Sequence, residues 1–160
     1  MAQTIRIKAK DGSDVEFIDE VIGQGGMKDV YFCPDKKYVV AFFRDKQDAN
    51  QLERLEQITG KYRENIFNGP NGDYWGKLCC WPTKIVEHNG RLGICAPTYP
   101  QHFFFDWGSK NQDFLGIKGK EKEGRWFASA SNQTKFLDPR ERGNILHYLH
   151  ICLFISRATR

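Results

Sequence analysis

A chain of 160 residues is long enough to bury a real core and is ordinarily one domain. Its net charge of +4 comes from 24 Lys and Arg set among 20 Asp and Glu, so no basic block demands a nucleic-acid partner. Five cysteines, odd in number and without a CxxC pair, argue against zinc and disulfide frameworks. No charged-then-apolar leader or membrane-length apolar run is present, so a cytoplasmic setting without a membrane partner is expected.

In chain order, Thr4 to Ala9 alternates Ile5 and Ile7 with polar residues and predicts an extra strand or lead-in strand. Asp11-Gly12-Ser13-Asp14 makes a turn into a run from Val15 to Ile22, which reads as one strand. Gly23-Gln24-Gly25-Gly26 follows, and a second strand runs from about Asp29 to Cys33 before Pro34-Asp35. Glycines at a hairpin tip permit positive backbone torsions and let main-chain N–H groups approach an anion. A dinucleotide-binding turn would open a helix after its last glycine, whereas Val30-Tyr31-Phe32-Cys33 continues as strand. Lys28 and Val30 lie two apart on that strand and should share a face.

Tyr38 to Arg44 predicts a third strand of this group. Ala41 and Phe43 share one face and Arg44 points to the other. Asp45-Lys46-Gln47-Asp48 offers helix-start residues, and Leu52, Leu55 and Ile58 fall at helical spacing before Gly60. On that helix Glu56 borders the apolar stripe, while Glu53 lies nearly opposite it. Asn68 to Asp73 reads as a loop. Thr83–Glu87 and Leu92–Ala96 read as strands joined by His88-Asn89-Gly90-Arg91. Residues 100–137 are aromatic, glycine-rich and lysine-rich, and their acids argue against single-stranded nucleic acid. Asp138-Pro139 is an N-cap followed by proline, predicting a helix through Ile145, Leu149 and Ile151 to the end of the chain.

The run Gly23-x-Gly25-x-x-Lys28-x-Val30 resembles the glycine-rich loop GxGxxGxV of protein kinases, with Lys28 at the third glycine. In that family a third-strand lysine pairs the ATP phosphates with a glutamate of helix αC. Here the equivalent positions are Phe43 or Ala41, depending on register, and both are uncharged. The arrangement is similar to the with-no-lysine kinases, whose phosphate lysine sits in the glycine-rich loop. More broadly, the whole stretch, especially this loop and the run from Tyr38 to Phe67, looks like the bacterial eukaryotic-like kinases of the YegI type and those accompanying the TerY tellurium-resistance proteins.

That resemblance implies an α+β fold: a kinase-like N-lobe at 1–99, with an antiparallel sheet of about five strands plus αC, ending in a hinge. An irregular linker or docking segment would follow at 100–137, and an αE-like helix at 138–160, stopping before the catalytic loop. It implies ATP as ligand, with Gly23, Gly25 and Gly26 over the phosphates and Lys28 holding them. Val30 and one of Val39 or Ala41 would contact adenine. Glu56 would orient Lys28, with Glu53 and Glu64 as alternatives, and Ala96, Thr98 and Tyr99 would form the hinge. No histidine is followed by Arg-Asp, and Asp106-Trp107-Gly108 and Asp113-Phe114-Leu115-Gly116 precede the αE candidate, so neither serves as D-F-G. The base and the Mg2+ ligands would belong to a missing C-lobe, and the chain alone is expected to be inactive. Phosphoryl transfer to serine or threonine of a protein substrate would need the full protein. The other reading is a non-catalytic pseudokinase that binds a regulatory protein through the aromatic segment and terminal helix. Exposure of that helix would favour self-association.

Overall fold

The alternating segments pair into two antiparallel sheets in the computed structural model, which describes residues 2–144 together with Leu146, Leu149, His150, Cys152, Leu153 and Ser156. The chain divides into two units, Met1–Tyr99 and Pro100–Arg160. In the first, β1 (Thr4–Lys8) pairs with β2 (Asp14–Ile18), turning at Gly12 with φ +83°, a torsion that disfavours any Cβ. The Asp11 carboxylate accepts the Ser13 N–H at 2.9 Å and holds that turn.

Five further strands form the main sheet: β3 (Val21–Gln24), β4 (Lys28–Phe32), β5 (Tyr38–Phe43), β6 (Lys84–His88) and β7 (Arg91–Pro97). Their order is β3-β4-β5-β7-β6, antiparallel throughout. The single strand expected over Val15–Ile22 is two strands in two sheets, broken at Asp19-Glu20. Val15 and Phe17 are buried, whereas Val21 and Ile22 are exposed. Period-two alternation runs through both halves and does not say which partner each half takes.

Because β5 is central it is apolar on both faces. Val40 and Phe42 join Val15, Phe17, Tyr31, Val86 and Cys95 in a core beneath the β1–β2 hairpin. On the opposite face Ala41 and Phe43 pack with Ile85, Ile94 and Leu55, and Val30, Leu52 and Leu92 close around them. Leu52 and Leu55 belong to α1 (Ala49–Gln57), so the helix covers the face that the hairpin leaves free. Its start is set by Asp48, whose side chain accepts the Gln51 N–H at 2.8 Å. Truncating Leu55 to alanine removes about 2–5 kcal/mol of transfer and cavity energy.

Gly60 does not end this helix. The chain passes through a π-helical turn, Ile58–Tyr62, into α2 (Arg63–Phe67), and the Trp81 indole donates to the Ile58 carbonyl at 2.8 Å. The loop expected over Asn68–Asp73 is likewise shortened, because α3 (Gly72–Leu78) begins within it. A Cβ on Gly72 would lie 1.9 Å from the Phe67 carbonyl oxygen, so only glycine fits there. Between β6 and β7, Asn89 and Gly90 both carry positive φ, the two-residue turn that Asn-Gly predicts.

In the second unit Phe105, Ile117 and Leu137 are buried together, with Trp126 and Phe127 against them. Residues 100–137 therefore carry a core of their own, although their elements are short, chiefly Gly124–Phe127 and Ala130–Phe136. Asp138 does cap a turn, but the turn is a 3-10 segment, Pro139–Glu141, and residues 142–144 are not helical. Two tertiary bonds hold that exit: Gly143 N–H donates to the Gln133 side chain at 2.8 Å, and the buried Glu141 carboxylate accepts the Trp107 N–H at 2.5 Å. From there on Leu146, Leu149, His150, Cys152, Leu153 and Ser156 are helical, with exposed side chains. Ile145, Ile151 and Ile155 of the expected αE helix lie outside the described residues. No helix among the described residues is long and apolar enough to cross a membrane.

Candidate functional site

Strand alternation and cross-strand register decide which predicted residues meet. Directly opposed residues share a face of a sheet. Lys28 opposes Phe43, Val30 opposes Ala41, which opposes Ile94, and Val39 opposes Ala96. Lys28, Val30, Val39, Ala41 and Ala96 therefore lie on one face, that of α1. Val30, Val39 and Ala96 are only half-buried, so part of this apolar surface is left uncovered.

At one end of it stands Lys28. Its ammonium lies 4.4 Å from the centroid of the Phe43 ring, and among the described residues no carboxylate pairs with it. Burial pushes its pKa below the ordinary lysine value, since the charged form loses water. The half-buried ammonium has exchanged part of its hydration for the ring face.

Gly25 and Gly26 sit at the tip between β3 and β4, and Gly23 lies in β3 opposite Val30, just before it. Glycine permits a positive φ at such a tip, but none of the three adopts one. A Cβ on Gly23 or Gly26 would meet nothing within 4 Å, and on Gly25 only the Lys28 carbonyl at 4.0 Å. Neither conformation nor internal packing requires glycine here. What remains is the other property of glycine, an unscreened backbone that an outside group can approach closely.

The tip is held from the opposite face of the sheet, in a way sequence reasoning missed. Asp29 is buried and receives the Arg91 guanidinium at 2.5 Å, with Arg44 Nε at 3.8 Å. Arg44 also donates through its guanidinium to the Gly25 carbonyl and through its backbone to Met27 at 3.0 Å. Arg91 donates to the Phe43 carbonyl at 3.0 Å. Arg44 thus faces away from Lys28, as alternation predicts, and braces the loop. The parity of Asp29 was the available signal, but its partner lies 62 residues on.

Glu56 is not brought to Lys28. Its carboxylate lies 3.1 Å from Lys10 Nζ, because its place on α1 points past the β6 edge toward the hairpin turn. Glu53 and Glu64 are exposed, and neither pairs with Lys28. At the end of β7, Thr98 donates its N–H to the Lys37 carbonyl at 3.1 Å and its hydroxyl to the Lys36 carbonyl at 2.8 Å. Both donors are spent on the β4–β5 turn. Tyr99 is exposed. No group of three or more His, Cys, Asp or Glu that could hold a metal ion occurs among the described residues. No protein-family model matches this chain, and no solved structure matches it significantly.

Proposed function

We propose that residues 1–99 bind the triphosphate of ATP as the amino-terminal part of a protein-kinase-like protein, with Lys28 as the phosphate cation. The observation that carries the reading is Lys28 itself, half-buried, without a carboxylate among the described residues, and opposite Phe43, one of the two positions, with Ala41, where the resemblance would place the third-strand lysine. A strand-glycine-strand tip, a helix between the third and fourth strands of the main sheet in chain order, and a half-open apolar face beside Lys28 support it. Val30, Val39, Ala41 and Ala96 would receive the adenine ring, and the glycine tip would lie over the phosphates.

Mg2+ does not fit the residues present. Asp29, the carboxylate nearest Lys28 in sequence, is committed to two arginines on the other face. No metal-dependent step is assigned to this chain, and phosphoryl transfer to serine or threonine would require residues supplied from outside it. A second reading, a non-catalytic module for a regulatory protein, is favoured by the retention of Glu56 on Lys10 and by exposed Trp107 and Phe114 in the second unit.

Titration of Mg-ATP into the chain and into Lys28→Ala by calorimetry tests the proposal. Saturable binding that disappears in the folded variant supports it. A folded wild-type chain that takes up no nucleotide sinks it in favour of the interaction module.

A further inference from the structure

The second unit has a cavity that the nucleotide reading does not use. Its volume is about 400 Å³, and Leu115, Arg125, Trp126, Asn132 and Phe136 line it. That size is within the range of small-molecule sites, which are mostly apolar with a few oriented polar groups. Two of the five lining residues are aromatic, and each carries a cation: the Arg125 guanidinium is 6.0 Å from the Trp126 ring, and Lys135 Nζ is 5.1 Å from the Phe136 ring. One carboxylate, Glu123, answers Arg125 at 2.6 Å on the exposed side. The local balance is therefore positive, beside flat apolar walls.

The turn that leads into Leu115 is held in a strained conformation. Asn111, Gln112 and Asp113 have φ of 51°, 58° and 63°, three successive non-glycine residues in the left-handed region. Each such residue is strained by roughly 1–2 kcal/mol, and strain of this kind gathers at functional sites. What holds the turn is the Asp113 carboxylate, which accepts the N–H groups of Ser109 (2.9 Å), Ile117 (3.0 Å) and Lys118 (2.9 Å) and the Ser109 hydroxyl (3.0 Å). The Leu115 N–H donates to Ser109 Oγ at 2.9 Å, which fixes Leu115 at the mouth of the cavity.

We propose that this cavity is a ligand site for a planar aromatic anion, the ring lying between Leu115, Trp126 and Phe136 and the carboxylate or equivalent group meeting Arg125 and the Asn132 amide. Phe136 and Trp126 supply the area, and Arg125 supplies selection for charge. The site is made wholly of second-unit residues, so it does not rest on the role of Lys28.

Calorimetric titration of 2-naphthoate and its neutral counterpart 2-naphthalenemethanol into the full chain tests this, with Arg125→Gln, Leu115→Asp and Lys28→Ala in parallel. Arg125 and Leu115 are exposed, so both variants are expected to fold, and thermal melts run alongside check that they do. The expected result is one site per chain that prefers the acid about 1.5- to fivefold, the range of one screened charge contact. Arg125→Gln should erase the preference, Leu115→Asp should weaken both probes, and Lys28→Ala should change neither. Absence of saturable binding, equal binding of acid and alcohol, or loss of binding in Lys28→Ala alone would each overturn the proposal.

Discussion

Lys28 and Phe43 face one another across the β4–β5 ladder, the ammonium of the first resting 4.4 Å from the ring centroid of the second. The pair puts a cation on the inner face of the sheet without any lysine on β5. Its energetics differ from those of a surface lysine, and the difference is measurable.

The folded-state pKa of Lys28 lies below the ordinary lysine value of 10.5, because burial disfavours its charge. Between the two values the unfolded chain binds more protons than the folded one, so this group makes stability rise with pH across that alkaline window and contributes no slope below it. Urea denaturation of the wild type and Lys28→Gln from pH 7 to 10.5 should show the wild type gaining on the variant toward the alkaline end. Parallel curves would show that Lys28 is solvated as in the unfolded chain.

Gly23→Ala and Gly26→Ala add a methyl group that meets nothing within 4 Å, on torsions alanine adopts freely. Both should leave stability unchanged or raise it by about 0.4–1 kcal/mol through the unfolded state, while weakening Mg-ATP binding. Gly93→Ala is the contrast. Its Cβ would sit 2.6 Å from the Phe42 ring and 3.0 Å from the Ala41 carbonyl oxygen, and overpacking of that kind costs about 1–3 kcal/mol. Thermal melts of the three variants, with nucleotide titration of the first two, check both halves.

Asp29→Asn leaves Arg91 and Arg44 without their shared carboxylate. A fully buried pair broken this way costs about 3–5 kcal/mol; Arg91 retains some water, so a loss of about 2 kcal/mol is expected. Denaturant midpoints measure it. Because Arg44 also braces the Gly25 carbonyl, the amide protons at the tip should exchange faster in this variant.

Asp113 is held down to about 2, chiefly by the Ser109 N–H, with the N–H groups of Lys118 and Ile117 and the Ser109 hydroxyl adding to it. Its folded pKa is below its unfolded one, so its contribution is present above the ordinary carboxylate value of 3.8 and is lost as pH falls toward about 2. Acid titration of the wild type against Asp113→Asn should show the two stabilities converging over that range. Coincident stabilities at pH 7 would show that the left-handed turn stands without the carboxylate.

Much of the candidate site was legible because it depends on local rules. Two-residue spacing placed Lys28 with Val30, and Ala41 with Phe43 away from Arg44. Asn89-Gly90 announced its hairpin, and Asp48 its helix. Other features answered to partners far along the chain. Glu56 bordered the correct stripe of its helix, yet Lys10, 46 residues earlier, took its carboxylate. The helix expected from Asp138 gave way to a 3-10 turn because Glu141 and Gly143 found partners outside it, the Trp107 N–H and the Gln133 side chain.

By itself the amino-acid sequence determined most of the strand segments, their alternation and the glycine tip, since alternation, turn chemistry and capping act within a few residues. Tertiary structure alone decided that Val15–Ile22 splits between two sheets, that Asp29 is shared by Arg44 and Arg91, and that Lys28 rests on Phe43 with no carboxylate paired to it among the described residues. Those outcomes depend on which segments compete for one face or one charge, and that competition is settled only when distant residues are packed together.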